Sequence, residues 1–244
     1  MTTVLEIANK VAGVVGVAPI PSLTDAGHGR TMRALMDRGG KAMARGKDAH
    51  GNSWAPLNTS AHILTTPGQG TYQLPAGFIS FLKDTIYRQG DRWPLAGPIA
   101  DAGQWNDIKI GPVSTYSYWY RQRHLNGHHA IELLPVPESE QRIDYEYITN
   151  HWLREAADSS TTLPDISDDT NVPLLYDLLV ELDLTWRFKH SRGLDYGLEL
   201  EEFEAERDRY MGTESGAVDI TIGGTRRSSP ISWSIPEADW GIRR

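Results

Sequence analysis

The chain reads as an α+β protein in which an antiparallel helical bundle, built from both chain ends, carries an inserted antiparallel β domain and an extended C-terminal tail. Three observations predict this. Apolar residues recur at helical spacing near the start and again between Leu175 and Tyr210. Turn signals and period-two alternation fill the middle. Beyond Met211, glycines and short alternating runs replace helical spacing. A chain of 244 residues can bury a core in each of two lobes. The expected division is a bundle from residues 1–47 and 171–211, a β-rich insertion over 48–170 and a tail over 212–244.

The first helix is announced by Thr3 and Glu6, the spacing of a capping box, followed by Val4, Ile7, Ala8 and Val11 at helical intervals. Gly16, Pro19 and Pro21 make Val14 to Leu23 a connector. Thr24 or Asp25 is the expected cap of a second helix running to about Ala44. Its apolar positions are Met32, Leu35, Met36 and Met43. Gly39-Gly40 either weakens it or lets another element pack closely.

From Asp48 to Asn150 the period changes. Gly51-Asn52, Pro67-Gly68, Gly90-Asp91 and Asn126-Gly127 are turn signals. Ser117 to Arg123 and Ala130 to Leu134 flank Asn126-Gly127, the pattern of a hairpin closed by a type I′ turn. In Arg142 to Thr149, Ile143, Tyr145 and Tyr147 alternate with Arg142, Asp144 and Glu146, which predicts a strand with one buried face.

Ala156 to Thr170, rich in Asp, Ser and Thr, reads as a loop. Asn171 is the expected cap of the next helix, with Pro173 in its first turn and a stripe of Leu175, Leu178, Leu179, Leu182 and Trp186. Arg192-Gly193 ends it. Tyr196, Leu200, Phe203 and Tyr210 define a final helix whose wet face carries Glu201, Glu202, Glu204 and Glu206.

Composition narrows the function. Without cysteine there are neither disulfides nor thiolate metal sites. A net charge of -8 argues against a protein whose main work is gripping phosphates, although it allows DNA to pass unheld. No apolar run approaches the roughly 20 residues that span a bilayer, and Met1 to Glu6 lacks the pattern of a signal peptide, so no membrane association is expected. The expectation is a protein that stays in the cytoplasm where it is made.

Four segments in order carry a resemblance. They are Thr3 to Ala8; Tyr72-Gln73-Leu74-Pro75-Ala76-Gly77-Phe78; Asp144 to Ile148 followed by Trp152; and Leu182 to Lys189 followed by Gly193-Leu194-Asp195-Tyr196. Together they resemble the bacteriophage head-to-tail adaptor, or head-completion, family of the tail tubular protein A type, over residues 1 to 211. The Met- and Gly-rich stretch from Ala26 to Asp48 and the long tail depart from it. The resemblance implies a structural protein of the virion, assembled in the host cytoplasm as a dodecameric ring. The ring would bind the portal protein above and a tail nozzle or other tail protein below, and double-stranded DNA would pass through without specific binding. It implies no catalysis and no cofactor.

The residues that could carry chemistry fit blander roles better. His124, His128 and His129 surround the hairpin turn and could hold zinc or nickel, but no carboxylate completes a site. Asp165, Asp168 and Asp169 lack the ordered spacing and glycine of a calcium loop. Glu201, Glu202, Glu204 and Glu206 read as a solvated or channel-facing surface; lining the passage, they would repel DNA. Gly223-Gly224 is followed by no phosphate-binding lysine. Tyr118, Trp119 and Tyr120 could stack single-stranded bases, but Arg121 and Arg123 alone make no basic groove. No catalytic, cofactor-binding or metal-ligating residue is therefore assigned.

In the tail, Val218 to Ile222 and Ile231 to Ile235 alternate like strands. Ile220, Ile222, Ile231, Trp233 and Ile235 are the expected contacts with the portal or a neighbouring subunit, because exposed they would be costly in water. Two other classes compete: a metal-dependent hydrolase or cell-wall lytic factor carried by the virion, and a monomeric tail accessory protein that forms no ring.

Overall fold

The computed structural model describes residues 2–25, 27–46, 54–111 and 118–214. In chain order come helices α1 (Val4–Val14) and α2 (His28–Arg45), a 3₁₀ turn (Ala55–Leu57), and strands β1 (Asn58–Leu64), β2 (Thr71–Gln73), β3 (Phe78–Phe81) and β4 (Tyr87–Arg88). Helix α3 (Ala102–Ile110) precedes β5 (Trp119–Leu125), β6 (His128–Leu134) and β7 (Arg142–Thr149). Short strands β8 (Leu153–Arg154), β9 (Thr162–Leu163) and β10 (Val172–Pro173) lead to α4 (Asp177–Ser191) and α5 (Gly197–Glu214). The chain is α+β, and its named strands pair antiparallel. The predicted tail contacts Ile220, Ile222, Ile231, Trp233 and Ile235 lie outside the described residues, as do Gly51-Asn52 and Gly223-Gly224.

Helix α1 starts as its first residues dictate. The Thr3 side chain accepts from the Glu6 N–H at 3.2 Å and Glu6 Oε2 accepts from the Thr3 N–H at 2.8 Å, which satisfies two end donors at once. Val4, Ile7, Ala8 and Val11 are buried. Helix α2 differs from expectation at its start. Neither Thr24 nor Asp25 caps it; Thr24 bonds Ser22 instead, and the cap is Gly27 at φ 86° without a side-chain bond. Met32, Met36 and Met43 turn inward, and Gly39 and Gly40 prove to be contact points. A Cβ on Gly39 would collide with the Asp183 carboxylate, and one on Gly40 with the Trp152 indole.

Helix α4 packs against α1, α2 and α5, and all four contribute to one apolar core with Trp54, Leu57 and Trp152. The predicted start of α4 is corrected. Asn171 does not cap it; its Oδ1 accepts from Ser167 N at 2.8 Å and Asp168 N at 2.9 Å, clamping the preceding loop. Pro173 pairs with Leu153 in a three-stranded sheet, β10-β8-β9, which replaces part of the predicted loop. With its start at Asp177, the buried stripe of α4 is Leu179, Val180, Leu184 and Phe188, while Leu178 is exposed and Leu182 and Trp186 flank the core.

The α4 end follows the sequence. Gly193 at φ 69°, with Leu194 N bonded to Lys189 O and Gly193 N to His190 O, makes the glycine-terminated cap that closes the carbonyl end. Helix α5 then returns along α4. It runs through Glu214, past the predicted tail boundary at residue 212.

Sheets β1-β7-β3, with β4 also on β7, and β2-β6-β5 share a second core that includes Ile63, Tyr72, Tyr120, Ile131, Ile143 and Tyr145. The hairpin β5–β6 closes with Asn126 at φ 52° and Gly127 at φ 82°, the predicted I′ conformation. Strand β7 alternates as predicted until Ile148, which joins the helical core, so one strand ties both cores together. Helix α3 interrupts the β-rich region unannounced. Asp101 caps it, but only Trp105 is buried, and one buried residue leaves no periodic stripe to read.

Candidate interaction surfaces

The hairpin places its histidines on two faces. His124 and His129 are direct cross-strand partners with ring centroids 4.0 Å apart, whereas His128 pairs with Leu125 and, as the neighbour of His129, points to the opposite face. His129 lies 3.2 Å from Gln122 Nε2 and beside the Phe78 ring. Burial lowers its pKa, and the nearby His124 lowers it further. The three histidines are not brought together. Among the described residues no group of three His, Asp or Glu side chains is placed to hold a metal ion.

The aspartates of the 156–170 segment serve as anchors. Asp165 pairs with Lys41, and Asp169 Oδ1 accepts from the Leu23 N–H at 3.0 Å, fastening the loop to α2 and the connector. Asp168 accepts from the Thr170 N–H and hydroxyl at 2.8 and 2.7 Å, which hold its carboxyl below the usual carboxylate range. These oxygens face different partners and do not converge.

Tyr118 and Tyr120 are buried in the β core, and Trp119 packs beside Ile99, Trp105 and Leu134. Arg121 lies over the Trp105 ring and bonds Glu132 at 2.7 Å, and Arg123 reaches the same carboxylate at 3.2 Å. Tyr118, Trp119, Tyr120, Arg121 and Arg123 are thus committed to packing and pairing within the fold. On α5, Glu201, Glu202 and Glu204 are exposed while Glu206 is half-buried 3.6 Å from Arg209; Phe203 and Met211 form the inward face.

Two features went unread in the sequence. One is the nearly inaccessible Asp183, which accepts from Arg187 Nε at 2.7 Å and Trp186 Nε1 at 3.2 Å. Its burial raises the carboxyl pKa despite the guanidinium that opposes the shift. The other is a row of exposed arginines on α2. Both lie at helical spacing, but the apolar count that located the helices passed over charged positions.

The concavities are modest. Polar clefts of about 470 and 550 Å³ open on the outer face of the β1–β7–β4 sheet, the first beside His62, Tyr87 and Asp144, the second beside Arg88, Gln89 and Gln141. A smaller apolar cavity of about 150 Å³ lies between Met43, Trp54, Phe203 and Met211. Ser60 and His62 both line the first cleft, and no hydrogen bond joins them.

A family model described as SU10 adaptor protein matches residues 2–231. The match runs 20 residues beyond the region of the sequence resemblance, into the tail. No curated protein matches the chain.

Proposed function

Because the chain belongs to the SU10 adaptor protein family, a family of phage head-to-tail adaptors, we propose that it is a subunit of a dodecameric ring that joins the portal protein to the tail and lets DNA through. The single observation that carries this reading is the family match over nearly the whole chain. The structural roles of Asp165, Asp169, Arg121 and Arg123 suit a protein that works by contact. Among the described residues no helix is long and apolar enough to cross a membrane.

The tail supplies the attachment. Ile220, Ile222, Ile231, Trp233 and Ile235 add strands to the portal or to a neighbouring subunit, in the manner of β-strand addition. The test is a truncation after Glu214, because α5 continues to that residue and Met211 is buried in the helical core; a cut at 212 would remove part of α5. The shortened chain is expected to unfold like the full one and to lose portal attachment in negative-stain imaging. Portal rings decorated equally by both chains would overturn the tail assignment. A full-length chain that ignores its portal would overturn the adaptor reading itself.

A further inference from the structure

Helices α2 and α5 carry opposite charges on their solvent sides, and neither is fully answered among the described residues. On α2 the exposed residues Arg30, Ala34, Arg38, Ala42 and Arg45 form one stripe, opposite the buried Met32, Met36 and Met43. The flanking Arg33 and Lys41 are engaged by the Ile166 carbonyl and Asp165. Arg30, Arg38 and Arg45 have no carboxylate partner among the described residues.

On α5 the exposed stripe holds Glu201, Glu202, Ala205 and Asp208, with Arg209, the partner of Glu206, on the same side and Phe203 and Met211 buried behind it. Glu201 and Glu202 likewise have no cation partner among the described residues, and Asp208 meets only its neighbour Arg207, at 2.9 Å in a pair exposed enough to exchange at little cost. The two stripes share one spacing. Arg38-Ala42-Arg45 and Glu201-Ala205-Asp208 both run i, i+4, i+7, placing two like charges about 10 Å apart along the axis with an alanine between them. A small residue at that point lets the helices approach closely.

Helix α4 packs against both α2 and α5, Ala42 edges the small cavity that Met43 shares with Phe203 and Met211, and no ion pair joins α2 to α5 among the described residues. The stripes therefore do not neutralise each other within one subunit, but two subunits can. We propose that the arginine stripe of α2 in one subunit docks on the acidic stripe of α5 in the next. Two different faces meeting in this way make a heterologous contact, which generates a closed ring when the rotation closes. The inference rests on the adaptor reading and names the contact that reading requires. It also moves the α5 carboxylates from the passage to the subunit boundary. A second copy fits better than DNA, because the chain supplies its own complement at matching spacing and its net charge of -8 opposes a polyanion.

The test is a charge swap in the full chain with its cognate portal. Arg38→Glu/Arg45→Glu makes both stripes acidic, and Glu201→Arg/Asp208→Arg makes both basic. Each variant alone is expected to weaken subunit association by about tenfold or more, because like charges then face each other. An equimolar mixture is expected to restore it, since acidic and basic subunits can alternate around a ring. Association is read by sedimentation and by imaging on the portal.

Rings formed by either variant as readily as by the unaltered chain, or a mixture no better than its components, would overturn the contact while leaving the adaptor reading intact. Loss of DNA retention by the arginine variant with rings unchanged would assign the stripe to DNA instead. Should a variant fold poorly, Ala42→Cys/Ala205→Cys offers a second route in a chain free of cysteine. A short bis-maleimide reagent is expected to produce a covalent ladder in assembled rings, and rings without a ladder would sink the proposal.

Discussion

The indole of Trp152 lies against the backbone of α2 at Gly40, so close that a Cβ on Gly40 would stand 2.2 Å from a ring carbon. Trp152 is wholly buried and its Nε1 donates to the Pro164 carbonyl at 3.0 Å, which fixes the ring where it stands. Gly40→Ala is expected to destabilise the protein by about 1–3 kcal/mol, the cost of overpacking, although alanine favours a helix. Gly13 in α1 is the control. No atom lies within 4 Å of an added Cβ there, and Gly13→Ala should stabilise by roughly 0.5–1 kcal/mol. Denaturant midpoints for the pair measure both signs, and equal effects would refute the contact.

Asp183 joins α4 to α2 through the same glycine pair, since its carboxylate occupies the space a Gly39 side chain would need. Asp183→Ala leaves Arg187 without its carboxylate in a half-buried position and is expected to cost about 3 kcal/mol. Asp183→Asn keeps an acceptor for Trp186 and Arg187 and should cost less. Chemical unfolding of the two variants tests the order; an alanine variant as stable as the asparagine one would show that the pair contributes little.

Asn171 and Thr3 were both expected to cap helices, and only Thr3 does. Thr3→Ala should cost about 1 kcal/mol as a lost cap. Asn171→Ala should cost about 1 kcal/mol, as the part-buried backbone donors of Ser167 and Asp168 lose their acceptor. Circular dichroism before unfolding distinguishes the roles. The Asn171 variant keeps its helix signal, and a loss of helix there would restore the capping role.

The facing pair His124 and His129 makes stability depend on pH. Folding lowers the His129 pKa, so between its ordinary value of about 6.5 and the lower folded value the unfolded chain binds more protons. Its contribution is full above that ordinary value and is lost as pH falls through the window. His151, lowered by burial, acts in the same direction. His124→Asn removes the repulsion and should reduce the fall in Tm between pH 7 and pH 5. Superimposable Tm profiles would show that the pair is not coupled.

What the sequence determined by itself is local. The capping box at Thr3 and Glu6, the Asn126-Gly127 turn, the glycine end of α4 at Gly193 and the alternation of β7 each depend on residues within a few positions of one another, and all stand in the structure. The same short-range logic failed where a distant partner decided. Asn171 is drawn to Ser167 and Asp168 because Val172 and Pro173 pair with β8, which shifts the start of α4 to Asp177 and moves its buried stripe by one step. Gly39 and Gly40 face Asp183 and Trp152 across more than 100 residues of chain, and α3 folds around one tryptophan. A side chain's immediate neighbours fix its backbone preference, but burial and charge pairing are set by elements that meet only after folding, and those meetings decided which faces of α2 and α5 remain exposed.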